Sequence, residues 1–328
     1  MQYWLRKAAV ILANGYILFF FSERVFWSFW HAGDCLRKSV VTWLVYCLLG
    51  WIFLDLTRRF RVASFAPLFL CGAVFGWLGE GVVVDTLYGN ATSPFPLSVS
   101  FTGLAWHALL SVGVGWYLTG KALTGEKPTR IAVLSLAVGV GWGLWALWWP
   151  AELGENVDAS VWGFAKHAMA WSFPLLLAWL VLGIARPGWY ESSRLATIFL
   201  GVLALVIFLA ARVPSRPFAA LILPPLLTLC WVGLRRYGRT AKGPDVLDRF
   251  LGRIRPRNVM ALVLIPLAAI AVYALFRSSH LLMPTNVVLY VITMPLGFWF
   301  FFRSLWGIFY SKPARIDEET CADMHGEY

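Results

Sequence analysis

The sequence predicts an all-α polytopic membrane protein of about ten transmembrane helices, in which the helix pair of spans three and four recurs, in parallel, as spans five and six. Three observations carry that expectation: too little charge for a water-soluble globule, apolar runs of spanning length from end to end, and Lys and Arg gathered in alternate connections. The 328 residues are 59% hydrophobic and only 14% charged, with a mean hydropathy of +0.68, whereas a soluble domain is about one quarter charged. Each apolar run reaches about 18 residues or more, enough at 1.5 Å per residue to cross roughly 30 Å of hydrocarbon. The short alternating segments of an outer-membrane barrel are not seen.

Taken in order, the first run, 8–30, is interrupted by Glu23-Arg24 and followed by no small-residue cleavage pattern, so it reads as a retained anchor. Runs 39–56 and 63–87 are parted by Arg58, Arg59 and Arg61, and 98–119 follows an uncharged connection, Gly89 to Pro96, that could fold over a pocket. Runs 131–149 and 162–184 end in tryptophan and glycine-rich sequence. The remaining four, 194–211, 216–234, 258–276 and 285–309, are mostly Leu, Val, Ile and Phe, with proline at Pro224-Pro225, Pro266 and Pro295.

This organisation gives a six-helix half, 1–184, that carries almost all ionisable groups lying inside spans, then two apolar helices within 185–234. A basic loop, 235–257, places Val246, Leu247, Phe250, Leu251 and Ile254 at helical spacing between arginines, the pattern of an interfacial helix or of an ordinary positive loop. Two C-terminal helices follow in 258–315. The acidic tail, 316–328, has too little apolar surface to fold alone.

Alternating the connections puts Arg6, Lys7, Arg58, Arg59, Arg61, Lys121, Lys127, Arg130, Arg186, Arg194, the basic residues of 235–257, Lys312 and Arg315 on one side. The other side receives Arg37, Lys38, Arg212, Arg216 and Arg277. The positive-inside rule then predicts a multi-pass protein of the bacterial inner membrane with both termini cytoplasmic. It also accounts for the net charge of +11: the excess sits beside anionic lipid, and no nucleic-acid partner is expected. Membrane lipids are the expected neighbours. The five cysteines supply no disulfide framework.

The candidate site lies on the repeat. Residues 100–108 read SFTGLAWHA and residues 160–168 read SVWGFAKHA, identical at five of nine positions. His107 and His167 therefore lie on helices running the same way, about 7 to 14 Å below the outer surface at helical rise. Span three brings Glu80, between Gly79 and Gly81, toward the same face, with Asp85 nearer water; span five ends on Glu152 and Glu155. A charge held in hydrocarbon costs several kcal/mol unless it meets protein, water, a metal or a ligand. Lys166 either reaches the headgroups or pairs with a carboxylate. Glu23-Arg24 either joins the same polar interior or forms an ion pair that fixes span one.

Four functions fit these residues. The histidines could only satisfy buried partners, as in a structural subunit. Glu80, His107, Glu152 and His167 offer N/O ligands to a divalent metal, although no HExxH spacing supports one. In an enzyme, Glu80, His107 and His167 would move protons while Lys166 and Arg24 hold an anionic headgroup and Asp85, Glu152, Glu155 and Trp106 line the substrate site. In a proton- or cation-coupled transporter, the same groups would form the relay. The polar groups gather toward one face in a parallel repeat, which favours binding or modification of a lipid-linked or small amphipathic substrate over alternating access. Among the 19 tryptophans, those at 106, 116, 142, 145, 148, 149, 162 and 171 fall on the repeated helices, where they could wall an apolar cavity or simply pack.

Overall fold

The computed structural model describes residues 2–90, 93–150, 157–185, 189–249, 254–278 and 285–310. These hold ten helices long and apolar enough to cross a membrane: α1 (Tyr3–Trp27), α2 (Leu36–Arg59), α3 (Phe65–Val83), α4 (Val99–Leu123), α5 (Pro128–Ala146), α6 (Val161–Ala185), α7 (Arg194–Ser215), α8 (Ala219–Thr240), α9 (Pro256–Arg277) and α10 (Val287–Tyr310). No strand occurs among the described residues; His31 and Val157 form one isolated antiparallel bridge. The chain is thus an integral, multi-pass, all-helical membrane protein.

The helix ends follow local chemistry. Pro128 and Pro256 open α5 and α9, where a missing N–H costs nothing. Ser193 caps α7 by accepting from the Ala196 N–H. At the other end of α1, Ser28 turns left-handed at φ 59° and stops the helix. That helix begins at Tyr3 rather than at residue 8, because Lys7 is itself buried and donates to the Glu191 carbonyl at 3.1 Å.

Helices α1, α3 and α4 form the interior. Their most apolar windows are 78%, 78% and 72% buried, against 11% for α7 and 22% for α10, which face lipid. Gly76 lets α3 and α4 touch backbone to backbone, for a Cβ there would strike the Gly103 carbonyl and His107. Gly139 does the same for α5 against the Ile265 carbonyl of α9. The C-terminal helices therefore interleave with the first six: α9 runs along α5, and Ser100 of α4 donates to the Met294 carbonyl of α10 at 2.6 Å.

At the N-terminal face, Arg58 bridges Asp245 at 2.8 Å and Asp248 at 2.9 Å. Asp55 accepts from Tyr190 at 2.5 Å and from Thr197 at 2.6 Å. The short helix Val246–Arg249 is pinned there by the Val246 N–H on the Val62 carbonyl at 2.8 Å. Its Val246 and Leu247 are fully buried in protein, unlike the lipid-facing apolar side expected of an interfacial helix; Phe250 and Leu251 lie outside the described residues.

Candidate functional site

Four of the spanning helices carry π-winding, a rare form that recurs at functional sites: Phe20–Arg24 in α1, Gly79–Val83 in α3, Phe208–Arg212 in α7 and Val99–Leu118, most of α4. The segments in α1, α3 and α4 carry Ser22 and Glu23, Glu80, and His107. The end of α3 is fixed from outside: Arg212 of α7 donates to the carbonyls of Val82, at 2.8 Å, and of Val83, and Tyr88 donates to the Gly81 carbonyl at 2.6 Å. Burial pushes the Tyr88 hydroxyl up to about 12, so it remains a donor at neutral pH.

The side chains meet in one chain of polar contacts. His107 Nε2 lies 2.6 Å from Glu80 Oε1, and His107 Nδ1 lies 2.9 Å from Ser22 Oγ. Ser22 Oγ is in turn 3.0 Å from Ser111 Oγ, and Thr86 donates to the second Glu80 oxygen. Two proton arrangements satisfy this chain. When Ser22 donates to Ser111, His107 Nδ1 donates to Ser22, and one proton lies between Nε2 and Glu80. When Ser22 donates to His107 Nδ1, Nε2–H donates to a Glu80 carboxylate. The two arrangements differ by one proton, so the contact between acid and imidazole gains or loses a proton while the Ser22 hydroxyl rotates to match.

Beside it, Glu23 accepts from Tyr46 at 2.7 Å and from Trp27 Nε1 at 2.9 Å. Ser22, Glu23, Glu80 and His107 all line a cavity of about 730 Å³. The Glu80 side chain keeps 12% of its surface and His107 5%, so the acid is the more open end. Phe26, Phe101, Trp106, Trp145, Trp148 and Trp149 supply an aromatic wall, and Val287 and Tyr290 of α10 close it. Asn90 and Ser93, from the connection after α3, also border it. Every lining residue comes from one end of the bundle, the end where α1 finishes and α4 starts.

The other expected site residues lie elsewhere. His167 is fully buried across α1, where its Nε2 donates to the Arg24 carbonyl at 3.0 Å, against the rings of Trp30, Trp142 and Trp171. It does not share the cavity with His107. Arg24 forms no ion pair with Glu23: Glu23 is held by Tyr46 and Trp27, while the guanidinium lies over Phe19 and Trp171 at 4.6 and 4.4 Å. Lys166 pairs with Asp158 at 3.7 Å, both side chains more than half exposed. Asp85 pairs with Arg216 at 3.2 Å at the surface. Neither Lys166 nor Asp85 lines the cavity, whereas Trp106 does. Glu152 and Glu155 lie outside the described residues.

Of the candidate metal ligands, Glu80 and His107 stand together on one side of α1 and His167 on the other, while Glu152 lies outside the described residues. Among the described residues no group of three or more His, Cys, Asp or Glu is placed to hold a metal ion. Sequence reasoning missed Ser22, Thr86, Tyr46 and Arg212, hydroxyls and a cation too ordinary in sequence to stand out before the fold brings them to His107, Glu80, Glu23 and the end of α3. Compared with protein-family models, with curated proteins and with solved structures, the chain finds no match in any of the three.

Proposed function

We propose that the chain is a membrane-embedded acid–base site that binds and modifies a lipid-linked or small amphipathic substrate from the extracytoplasmic face. The observation that carries this reading is the 2.6 Å contact of Glu80 with His107 on the wall of a cavity of about 730 Å³. The aromatic wall would hold the apolar body of the substrate. Glu80, the open end of the polar chain, would take a proton from the reacting hydroxyl or water, with His107 holding the carboxylate in place and sharing the proton through Ser22. Glu23, fixed by Tyr46 and Trp27, is the second carboxyl on the same wall; entering the cycle protonated, it would give its proton to the leaving group and be reprotonated by water, which also takes up the proton held on Glu80.

Sidedness supports chemistry at one face over carriage across the membrane. The lining residues are confined to one end, while a carrier site is expected near the midplane and open in turn to both faces. The distribution of Lys and Arg assigns that end to the outside. The test is to reconstitute the purified chain in vesicles of its host's lipids and to compare lipid products by mass spectrometry with a Glu80→Gln protein. A mass-shifted lipid that forms with the wild type and not with Glu80→Gln is the expected result. Substrate-driven proton movement without any product would replace this reading with transport. Folded Glu80→Gln and His107→Gln proteins that both restore full function in cells would refute it.

A further inference from the structure

Across α1 from the acid–base cavity lies a second cleft. It holds about 500 Å³ between α1, α2 and α6, and its lining, including Tyr16, Phe19, Val40 and Trp171, is apolar surface throughout. The cleft opens toward lipid: Leu12 and Val40 on its rim are each 39% exposed and Leu177 is 47% exposed.

Two of its lining rings, Phe19 and Trp171, are the rings that hold the guanidinium of Arg24. Arg24 is only 7% exposed. Among the described residues it has no carboxylate within ion-pair distance, and its Nε is buried with no hydrogen-bond partner. The indole N–H of Trp171 is likewise buried without a partner. A buried guanidinium whose nearest acids, Glu23 and Asp34, act on it only through space is costly, and its unpartnered Nε–H together with the unpartnered Trp171 N–H specifies what would relieve the cost: an anion that accepts hydrogen bonds, attached to an apolar chain. Glu23 is committed to Tyr46 and Trp27, and Asp34 accepts from the His31 N–H at 2.9 Å.

We propose that this cleft binds one anionic phospholipid of the surrounding bilayer, with Arg24 and the Trp171 N–H taking its phosphate and the apolar cleft taking an acyl chain. The site is separate from the acid–base cavity and does not depend on the function assigned there. The Phe19 and Trp171 rings, 5.9 Å apart and edge-to-face, both contact the guanidinium and hold it at the head of the cleft.

The test uses the full chain in nanodiscs and detergent, with phosphatidylglycerol as the anionic probe and phosphatidylcholine as the zwitterionic control. Native mass spectrometry should show phosphatidylglycerol retained about tenfold more than phosphatidylcholine, and phosphatidylglycerol should raise the melting temperature of the wild type. Arg24→Gln should remove the preference. Val40→Trp, which fills the cleft at a lipid-facing position without touching Arg24, should lower retention by about the same factor and covers the case in which the Arg24 variant does not fold. Equal retention of both lipids by the wild type, or undiminished phosphatidylglycerol retention by either variant, overturns the site. Competition by inorganic phosphate that is lost in Arg24→Gln but kept in Val40→Trp would identify a free-anion site and overturn the lipid assignment.

Discussion

His107 and His167 occupy the same place in a repeated nonapeptide, yet one faces a cavity and the other a wall. Both approach the π-wound end of α1, from opposite sides. On the α4 side, His107 meets two side chains, Glu80 and Ser22, and can pass a proton between them. On the α6 side, His167 meets a backbone carbonyl, which accepts a hydrogen bond but cannot exchange a proton. The difference comes from what the preceding helix delivers. The α3 end brings Glu80 beside α4, held there by Arg212 and Tyr88; α5 brings to His167 the ring of Trp142, whose indole N–H is taken by Ser28 of the α1 end. A repeated histidine therefore meets a carboxylate in one copy and a backbone carbonyl in the other, and the segment packed against it decides which.

The largest expected effect separates the two copies by activity. Once the lipid product is identified, His107→Ala should lower turnover by about 10²- to 10⁴-fold, and the Glu80→Gln/His107→Ala double variant should lose little more, because residues acting as one unit are not additive. Losses that multiply would break the unit apart. Next in size is stability. His167→Ala empties a fully buried site and removes one of two donors to the Arg24 carbonyl, which keeps the Ser28 N–H, so it should cost about 2–4 kcal/mol in unfolding measurements while turnover per folded molecule stays within about tenfold. A third prediction concerns the clamp that the second copy lacks: Arg212→Ala frees the last carbonyls of α3 and should cost about 1–2 kcal/mol, with a fall in turnover as Glu80 loses its position. The smallest effect belongs to Lys166→Ala, which should leave the melting temperature unchanged at neutral pH. Hydrogen bonds from Ser160, with Lys166 adding to them, hold the Asp158 carboxyl below the usual carboxylate range, so its contribution is present at neutral pH and is lost only as the pH falls through that lowered value.

The helical membrane fold was legible because hydrocarbon imposes it. Length and apolarity alone place ten spans, and the structure has ten such helices among its described residues. Glu80 and His107 were legible as a carboxylate and an imidazole converging on one face, since a parallel repeat and helix direction fix their depth. What stayed hidden is rotation. Helical rise sets how deep a residue lies, while the side of α1 on which it falls depends on packing, as with Gly76 against Gly103. This is why His167 and Arg24 read as neighbours of Glu80 and are found across α1 from it. The π-winding of α1, α3 and α4 has no signal in composition, and Ser22 is an ordinary serine until that winding turns it toward His107.

The most direct test of the acid–base cavity is an experimental structure of the full chain in a nanodisc of its host's lipids, read at the cavity between α1, α3, α4 and α5. The expected result is an amphipathic molecule lying along Trp106 and Trp145 with a polar atom about 3 Å from a Glu80 oxygen, and none against His167. Side chains collapsed into that space, with Glu80 turned away from His107, would contradict it.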